Sequence, residues 1–185
     1  MRVFFTTTPR LKIKYSQNVE AIFQAIENLG YKITNDYLRR VDVGDFYKFK
    51  NEKVPAYYKE VMSGAKKADV VIFETSLRST GVGQMLQWAL SDGKCVIALH
   101  MESKFPFWIG GIKSEKLIIE EYMLKNIEEV LAIAFDQIKD QMDERFTLLL
   151  PPKIVGFLNE ISKKKNIPKS VFIRNLIKEK MEVKN

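Results

Sequence analysis

Over the first 142 positions, short continuous apolar runs alternate with longer stretches in which apolar residues recur every three or four positions. The runs predict buried strands and the longer period predicts amphipathic helices. The predicted strands cover residues 2–7, 31–34, 69–74, 95–100 and 117–120. The predicted helices cover residues 16–29, 55–67, 81–93 and 123–142. This order predicts an α/β fold with a doubly wound, five-stranded parallel sheet.

Two of the segments that connect predicted strands and helices show no clear hydrophobic period. Residues 8–12 are interpreted as a polar turn after the first strand. Residues 36–53 are polar and rich in aromatic side chains, and they are interpreted as a long loop that could act as a lid.

The pattern changes after residue 142. Alternating apolar positions predict a strand over residues 145–150, and two short helices are predicted to begin at Pro151-Pro152 and at Pro168. The chain is therefore predicted to hold two domains, residues 1–142 and 143–185. A strand and two helices bury too little apolar surface to fold alone, so the second domain is predicted to dimerise or to pack on the first.

Composition narrows the class of protein. No apolar run approaches the roughly 20 residues that span a bilayer, and the start of the sequence does not resemble a signal peptide. No membrane attachment and a cytoplasmic location are therefore expected. The single cysteine, Cys95, lies within an apolar run and is interpreted as a core residue rather than a nucleophile.

Charge is distributed unevenly. The net charge is +7, yet residues 1–144 carry as many acidic as basic side chains. Residues 145–185 carry ten basic and three acidic side chains, so the whole excess lies in this tail. Such asymmetry indicates a segment that binds a polyanion.

The turn after the third strand carries the most informative chemistry. Gly81 and Gly83 open a helix and allow a ligand to approach the backbone closely. Ser79 and Thr80 place hydroxyls at the helix N-terminus, where free N–H groups and the helix dipole stabilise a phosphate. Arg10 follows the first strand and is expected at the same edge of the sheet. Simple capping of the helix is the alternative role for Ser79.

The segment ADVVIFETSLRSTGVGQML resembles the ADVVVAEVTxPSxGVGYELG segment of nucleoside 2-deoxyribosyltransferases and 2'-deoxynucleoside 5'-phosphate N-hydrolases. The opening FFTTTPR is similar to the first-strand motif of the hydrolase branch. The resemblance covers about residues 1–135. It implies a flavodoxin-like topology, a nucleoside or nucleotide pocket at the carboxyl end of the sheet, no cofactor, and commonly a dimer.

The resemblance also implies roles for single residues. Arg10 and Ser79 would contact a phosphate, Thr8 would stand for a serine of the first motif, and Asp69 would be catalytic if the protein is active. The glutamate that does the chemistry in the family falls on Met85, which can neither attack a sugar nor stabilise a cation. A tyrosine falls on Phe4. These departures predict a domain that binds a nucleotide without cleaving it.

Other candidate residues are less specific. His100, the only histidine, ends the fourth strand and is interpreted as a polar strand-end residue rather than a catalytic one. The aromatic cluster at residues 105–108 has two possible roles: stacking on a base, or forming a hydrophobic lid or dimer patch. No spacing of His, Cys, Asp or Glu indicates a metal site.

The tail RFTLLLPPKIVGFLNEISKKKNIPKSVFIRNLIKEKM resembles a ribbon-helix-helix domain over residues 145–181. In that family two chains pair their strands into a ribbon that enters the major groove of DNA. The resemblance implies DNA contacts at five positions: Arg145, Thr147, Leu149, Lys169 and Ser170. Leu149 departs from the polar residue usual there, and a module that only dimerises is the alternative.

Together these observations predict a homodimer, or a higher even oligomer, that binds a nucleotide in one domain and DNA through the other, as a ligand-responsive transcriptional regulator. An active deoxyribosyltransferase or deoxynucleotide N-glycosidase is the alternative. A third possibility is an interaction module with a vestigial pocket.

Overall fold

The computed structural model describes residues 1–42, 53–141, 148–165 and 167–182. The chain divides into two compact units, Met1–Met142 and Asp143–Asn185. Within the described residues, no helix is long and apolar enough to cross a membrane.

The first unit is built on a parallel sheet of five strands. They are β1 (Arg2–Thr7), β2 (Lys32–Ile33), β3 (Val70–Glu74), β4 (Cys95–Met101) and β5 (Leu117–Tyr122). The strand order is β2-β1-β3-β4-β5, which is the flavodoxin-like order. The predicted five-stranded parallel sheet is therefore confirmed. Because this order reverses between β1 and β3, the loops after these two strands leave on opposite faces and open a crevice.

Helices cover both faces of the sheet. They are α1 (Pro9–Lys14), α2 (Ser16–Asn28), α3 (Tyr37–Arg40), α4 (Val54–Lys67), α5 (Thr80–Ser91) and α6 (Ile127–Gln141), with a short 3-10 helix at Ile109–Gly111. The central strand β3 is buried along its whole length. A continuous apolar sequence is what a strand covered on both faces requires.

Two apolar layers hold the sheet. On one face, Phe5 packs edge-on against Phe23 of α2, with ring centroids 4.9 Å apart. On the other, Phe73 packs with Leu86 of α5. Each fully buried side chain of this size contributes about 1.5–3 kcal/mol. Along β3, Val70 and Ile72 lie in the first layer and Val71 and Phe73 in the second, so alternate side chains of this strand belong to the two layers.

The segment predicted as a polar turn after β1 is a helix. Proline in the first turn of α1 has no N–H to leave unpaired, and Leu11 is fully buried against the core. The predicted loop at residues 36–53 begins with α3, whose Leu38 is also buried. Residues 43–52 of that loop lie outside the described residues. Both short helices lack the several turns that an apolar period needs to be visible.

The second unit contains two helices, α7 (Pro152–Lys165) and α8 (Lys169–Glu182). Residues 148–150 form no regular structure, and the rest of the strand predicted over residues 145–150 lies outside the described residues. Lys163, Lys164 and Lys165 form the last turn of α7, where cations interact favourably with the helix dipole.

Candidate ligand-binding cleft

A cleft of about 620 Å³ opens where the loops after β1 and β3 meet α4 and α5. Its lining residues are Thr6, Thr7, Thr8, Pro9, Arg10, Tyr57, Tyr58, Val61, Met62, Ser79, Thr80, Gly81, Val82, Gln84, Met85 and Trp88. The cleft lies at the carboxyl ends of the strands, beside the point where the strand order reverses. Ligands of open α/β sheets bind at this point.

One end of the cleft is polar. Ser79 is the N-cap of α5, and its hydroxyl accepts a hydrogen bond from the N–H of Val82 at 3.4 Å. The Arg10 guanidinium donates to the carbonyl of Arg78, which ties α1 to the loop before α5. These groups place a cation and the positive end of a helix on the same side of the cleft. The arrangement suits an anionic group.

Gly81 and Gly83 lie inside the first turn of α5 and have no positive φ. A Cβ built on Gly81 would meet only the Ser79 hydroxyl, at 4.0 Å, and one on Gly83 would meet nothing within 4 Å. Gly81 lines the cleft and Gly83 does not. At Gly81, the missing side chain therefore leaves open space at the helix N-terminus.

The other end of the cleft is apolar. Tyr57, Val61 and Met62 come from α4, and Met85 and Trp88 come from α5. Burial raises the pKa of the Tyr57 phenol to about 12, so this hydroxyl stays protonated at neutral pH. A wall of aromatic and apolar side chains opposite a polar end suits a flat, weakly polar group joined to an anion.

The described lining of the cleft contains no carboxylate, imidazole or thiol. Met85 faces the cleft from the first turns of α5, where the family resemblance places a glutamate. Nor do the described residues anywhere hold a group of three His, Cys, Asp or Glu side chains that could bind a metal ion. Within the described part, the cleft lining therefore offers hydroxyl groups and one guanidinium but not the carboxylate that the resemblance places there.

Asp69, assigned to catalysis from the sequence, lies at the opposite edge of the sheet. It immediately precedes β3, and its carboxylate accepts hydrogen bonds from the main-chain N–H and the guanidinium of Arg2, each at 2.7 Å. These bonds hold the pKa of Asp69 below its usual range. Five strand residues, roughly 16 Å, separate it from the carboxyl edge. The structure does not bring Asp69 into the cleft lining, and its catalytic role stays a prediction.

Glu74 is the feature that sequence reasoning left without a role. It ends β3, is completely buried, and accepts hydrogen bonds from Ser76, Tyr122 and Thr7. Burial raises its pKa to about 7, and the hydrogen bonds oppose that rise only in part. The sequence signal that could have identified Glu74 is a charged residue at the end of an otherwise apolar strand.

His100 and the aromatic cluster lie outside the cleft lining. The His100 ring is buried, its Nδ1 lies 3.0 Å from the Met101 carbonyl, and Phe105 packs edge-on against it. Phe107 and Trp108 are 89% and 92% exposed.

The residues assigned to DNA contacts belong to the second unit. Arg145 and Thr147 lie outside the described residues. Leu149 is 93% exposed, and Lys169 and Ser170 form the first turn of α8. This unit also leaves much of its apolar surface uncovered, at Leu148, Ile154, Val155, Phe157, Val171, Leu176, Ile177 and Met181.

Comparison with known proteins gives a likeness in fold. No protein-family model matches the sequence, and no curated protein matches it. Among solved structures, the chain is similar to a CMP N-glycosidase of Clostridium botulinum, with a TM-score of 0.51 and 19% sequence identity. The match covers 72% of this chain and 99% of that one. It supports the deoxyribosyltransferase-like fold that the sequence predicted.

Proposed function

We propose that the first unit binds a nucleotide without cleaving its glycosidic bond. The observation that carries the proposal is the composition of the cleft: Arg10 and a helix N-terminus at one end, aromatic side chains at the other, and Met85 where a catalytic carboxylate would stand. The fold neighbour, a CMP N-glycosidase, indicates pyrimidine nucleotides as the first ligands to test.

The test combines binding with turnover. Purified protein is titrated with CMP and dCMP by calorimetry, and the same mixtures are analysed by chromatography for free cytosine. Saturable binding without release of base is the expected result. Release of base above the no-protein control would instead establish the alternative, an active N-glycosidase. Arg10→Ala is expected to weaken binding about tenfold to a hundredfold, and Asp69→Asn, at the other edge of the sheet, serves as the matched control.

The second unit is proposed to be a ribbon-helix-helix module that pairs with a second copy of the chain. Support comes from its uncovered apolar residues, which two helices cannot bury alone. Ile177 on α8 is 55% exposed, so Ile177→Glu leaves the single chain able to fold while opposing pairing. A shift from dimer to monomer in sedimentation is expected, and Lys66→Glu in the first unit is the control.

DNA binding by this module is proposed from its charge. Lysines end α7 and begin α8, and the N-terminus of a helix is a common phosphate contact. Binding to random duplex DNA is expected to weaken steeply between 50 and 200 mM salt, roughly 10-fold or more for each pair of phosphates contacted. Lys169→Glu should weaken it and Lys66→Glu should not. If no salt-sensitive binding is found, DNA binding is contradicted and the module serves dimerisation alone.

Joined in one chain, a nucleotide-binding unit and a DNA-binding unit would form a ligand-responsive transcriptional regulator acting in the cytoplasm. The discriminating measurement is DNA affinity with and without CMP or dCMP. A change in affinity supports regulation, because a ligand alters an equilibrium only if it binds the two states differently. Equal affinities would contradict the regulatory role and leave both binding activities in place.

A further inference from the structure

Glu74 is the single buried carboxylate among the described residues. Its two oxygens accept hydrogen bonds from the hydroxyls of Tyr122 and Thr7, each at 3.4 Å, and from the main-chain N–H of Ser76 at 3.3 Å. The Ser76 hydroxyl also donates to it. An isolated carboxylate would be too costly to bury, so these partners are needed for the charged form.

The partners of Glu74 connect it to both loops at the polar end of the cleft. Thr7, which also donates to the Glu74 main-chain carbonyl at 2.8 Å, lines the cleft together with Thr8 and Arg10. Ser76 leads into the loop whose Arg78 carbonyl accepts from Arg10. One carboxyl group therefore lies beneath both loops that would hold an anion.

The site can accept either protonation state of Glu74. The ionised form is met by hydroxyl and amide donors, whereas the neutral form can donate to the Thr7 hydroxyl, since a hydroxyl both donates and accepts. No basic side chain is described in contact with the carboxyl. Tyr122, whose own pKa is raised by burial, is the titratable group that touches it, and His100 on β4 faces Glu121 instead, at 3.9 Å.

We infer that the Glu74 carboxyl takes up a proton from solvent when an anion binds at the polar end of the cleft, so that anion binding by this protein is linked to pH. The inference rests on the proposed function of the cleft. Without that proton, binding would bring a second negative charge close to a buried one.

The size of the linkage follows from the spacing. Thr7 and Glu74 are register partners on adjacent strands, about 4.8 Å apart, and an anion beside Arg10 would lie on the order of 10 Å from the carboxylate. At an effective dielectric constant of about 20, one such repulsion lowers affinity about tenfold. The raised pKa of Glu74 places the change near neutral pH.

The test uses sulfate, whose charge is constant over the range examined, and the full-length protein. Equilibrium dialysis with radiolabelled sulfate is carried out at pH 5.5 and pH 8.5, at constant ionic strength set with chloride. Because sulfate is a dianion and its repulsion with the carboxylate is twice that of a single charge, the wild type is expected to bind at least about tenfold more weakly at the higher pH. Glu74→Gln should show equal affinity at both, and Asp69→Asn should behave like the wild type.

A second measurement needs no variant at Glu74. Adding sulfate to the wild type in a pH-stat at pH 7 should require acid, because bound protein takes up protons. Parallel pH profiles for wild type and Glu74→Gln, or no proton uptake, would overturn the inference while leaving the anion site intact. Absence of saturable sulfate binding at either pH would remove the anion site itself, and the inference with it.

Discussion

The two ends of β3 carry the same chemical group in opposite surroundings. Asp69, at the amino edge, is partly exposed and bonded to the Arg2 guanidinium, which lowers its pKa. Glu74, at the carboxyl edge, is buried with neutral donors only, and its pKa rises to about 7. At the two ends of one strand, burial and the charge of the partner therefore determine whether the pKa of a carboxylate is lowered or raised.

The largest effect is expected from Glu74. Its folded-state pKa of about 7 lies above the ordinary 4.5, so the folded protein binds more protons between these values. The free energy of unfolding should therefore fall as pH rises from 4.5 to 7, by about 3 kcal/mol in total. Urea unfolding followed by circular dichroism at a series of pH values measures this.

The Glu74→Gln variant should flatten that dependence and be more stable than the wild type above pH 7 if its amide is accommodated. A wild-type stability that rises between pH 4.5 and 7 would show that Glu74 is not the dominant group.

A somewhat smaller effect is expected at the cleft. Arg10→Ala removes the cation from the polar end and should weaken CMP or dCMP binding about tenfold to a hundredfold, since hydrogen bonds to charged groups contribute roughly 1.5–3 kcal/mol. Calorimetric titration measures this. Asp69→Asn should bind as the wild type does. Equal losses in both variants would contradict the assignment of function to the carboxyl edge alone.

Glycines in the two helices beside the cleft, α4 and α5, provide a third prediction. A Cβ on Gly64 of α4 would lie 2.6 Å from the Asn35 Cβ and 3.1 Å from the Phe4 ring. Gly64→Ala should therefore destabilise the protein by about 1–2 kcal/mol, although alanine favours a helix. Gly83→Ala in α5, with open space around it, should stabilise by a few tenths to 1 kcal/mol. Thermal unfolding compares the two.

The smallest effect is expected at the amino edge. The Arg2–Asp69 pair is partly exposed, with side-chain exposures of 54% and 27%, so Asp69→Asn should cost less than about 1 kcal/mol. Because the pKa of Asp69 is lowered, the pair stabilises the fold above pH 3.8 and the contribution is lost as pH falls below it. A loss of several kcal/mol in urea unfolding at pH 7 would contradict this.

Strand positions were predictable because a strand buried on both faces needs an unbroken apolar run, and β3 and β4 supply one. The short helix α1 was not predictable from periodicity. Its six residues include a proline and three basic side chains, and Leu11 is the one residue of the helix that is buried.

For the candidate cleft, the sequence placed Arg10 and Ser79 near one another because both follow parallel strands. It could not place Tyr57 or Trp88, since which helical residues face the cleft depends on how each helix packs. Asp69 lies away from the cleft because the motif that contains it begins at one edge of the sheet and ends at the other, so membership of the motif did not predict a place in the cleft.

The chain carries two tryptophans, and their surroundings differ. Trp88 lines the cleft, whereas Trp108 is 92% exposed. The intrinsic fluorescence is therefore the sum of a partly shielded indole beside the cleft and one in full contact with water. Iodide should quench the second preferentially, and in Trp108→Phe the remaining emission comes from a single chromophore at the cleft wall. The emission of this variant therefore reports on the surroundings of Trp88 at the cleft wall.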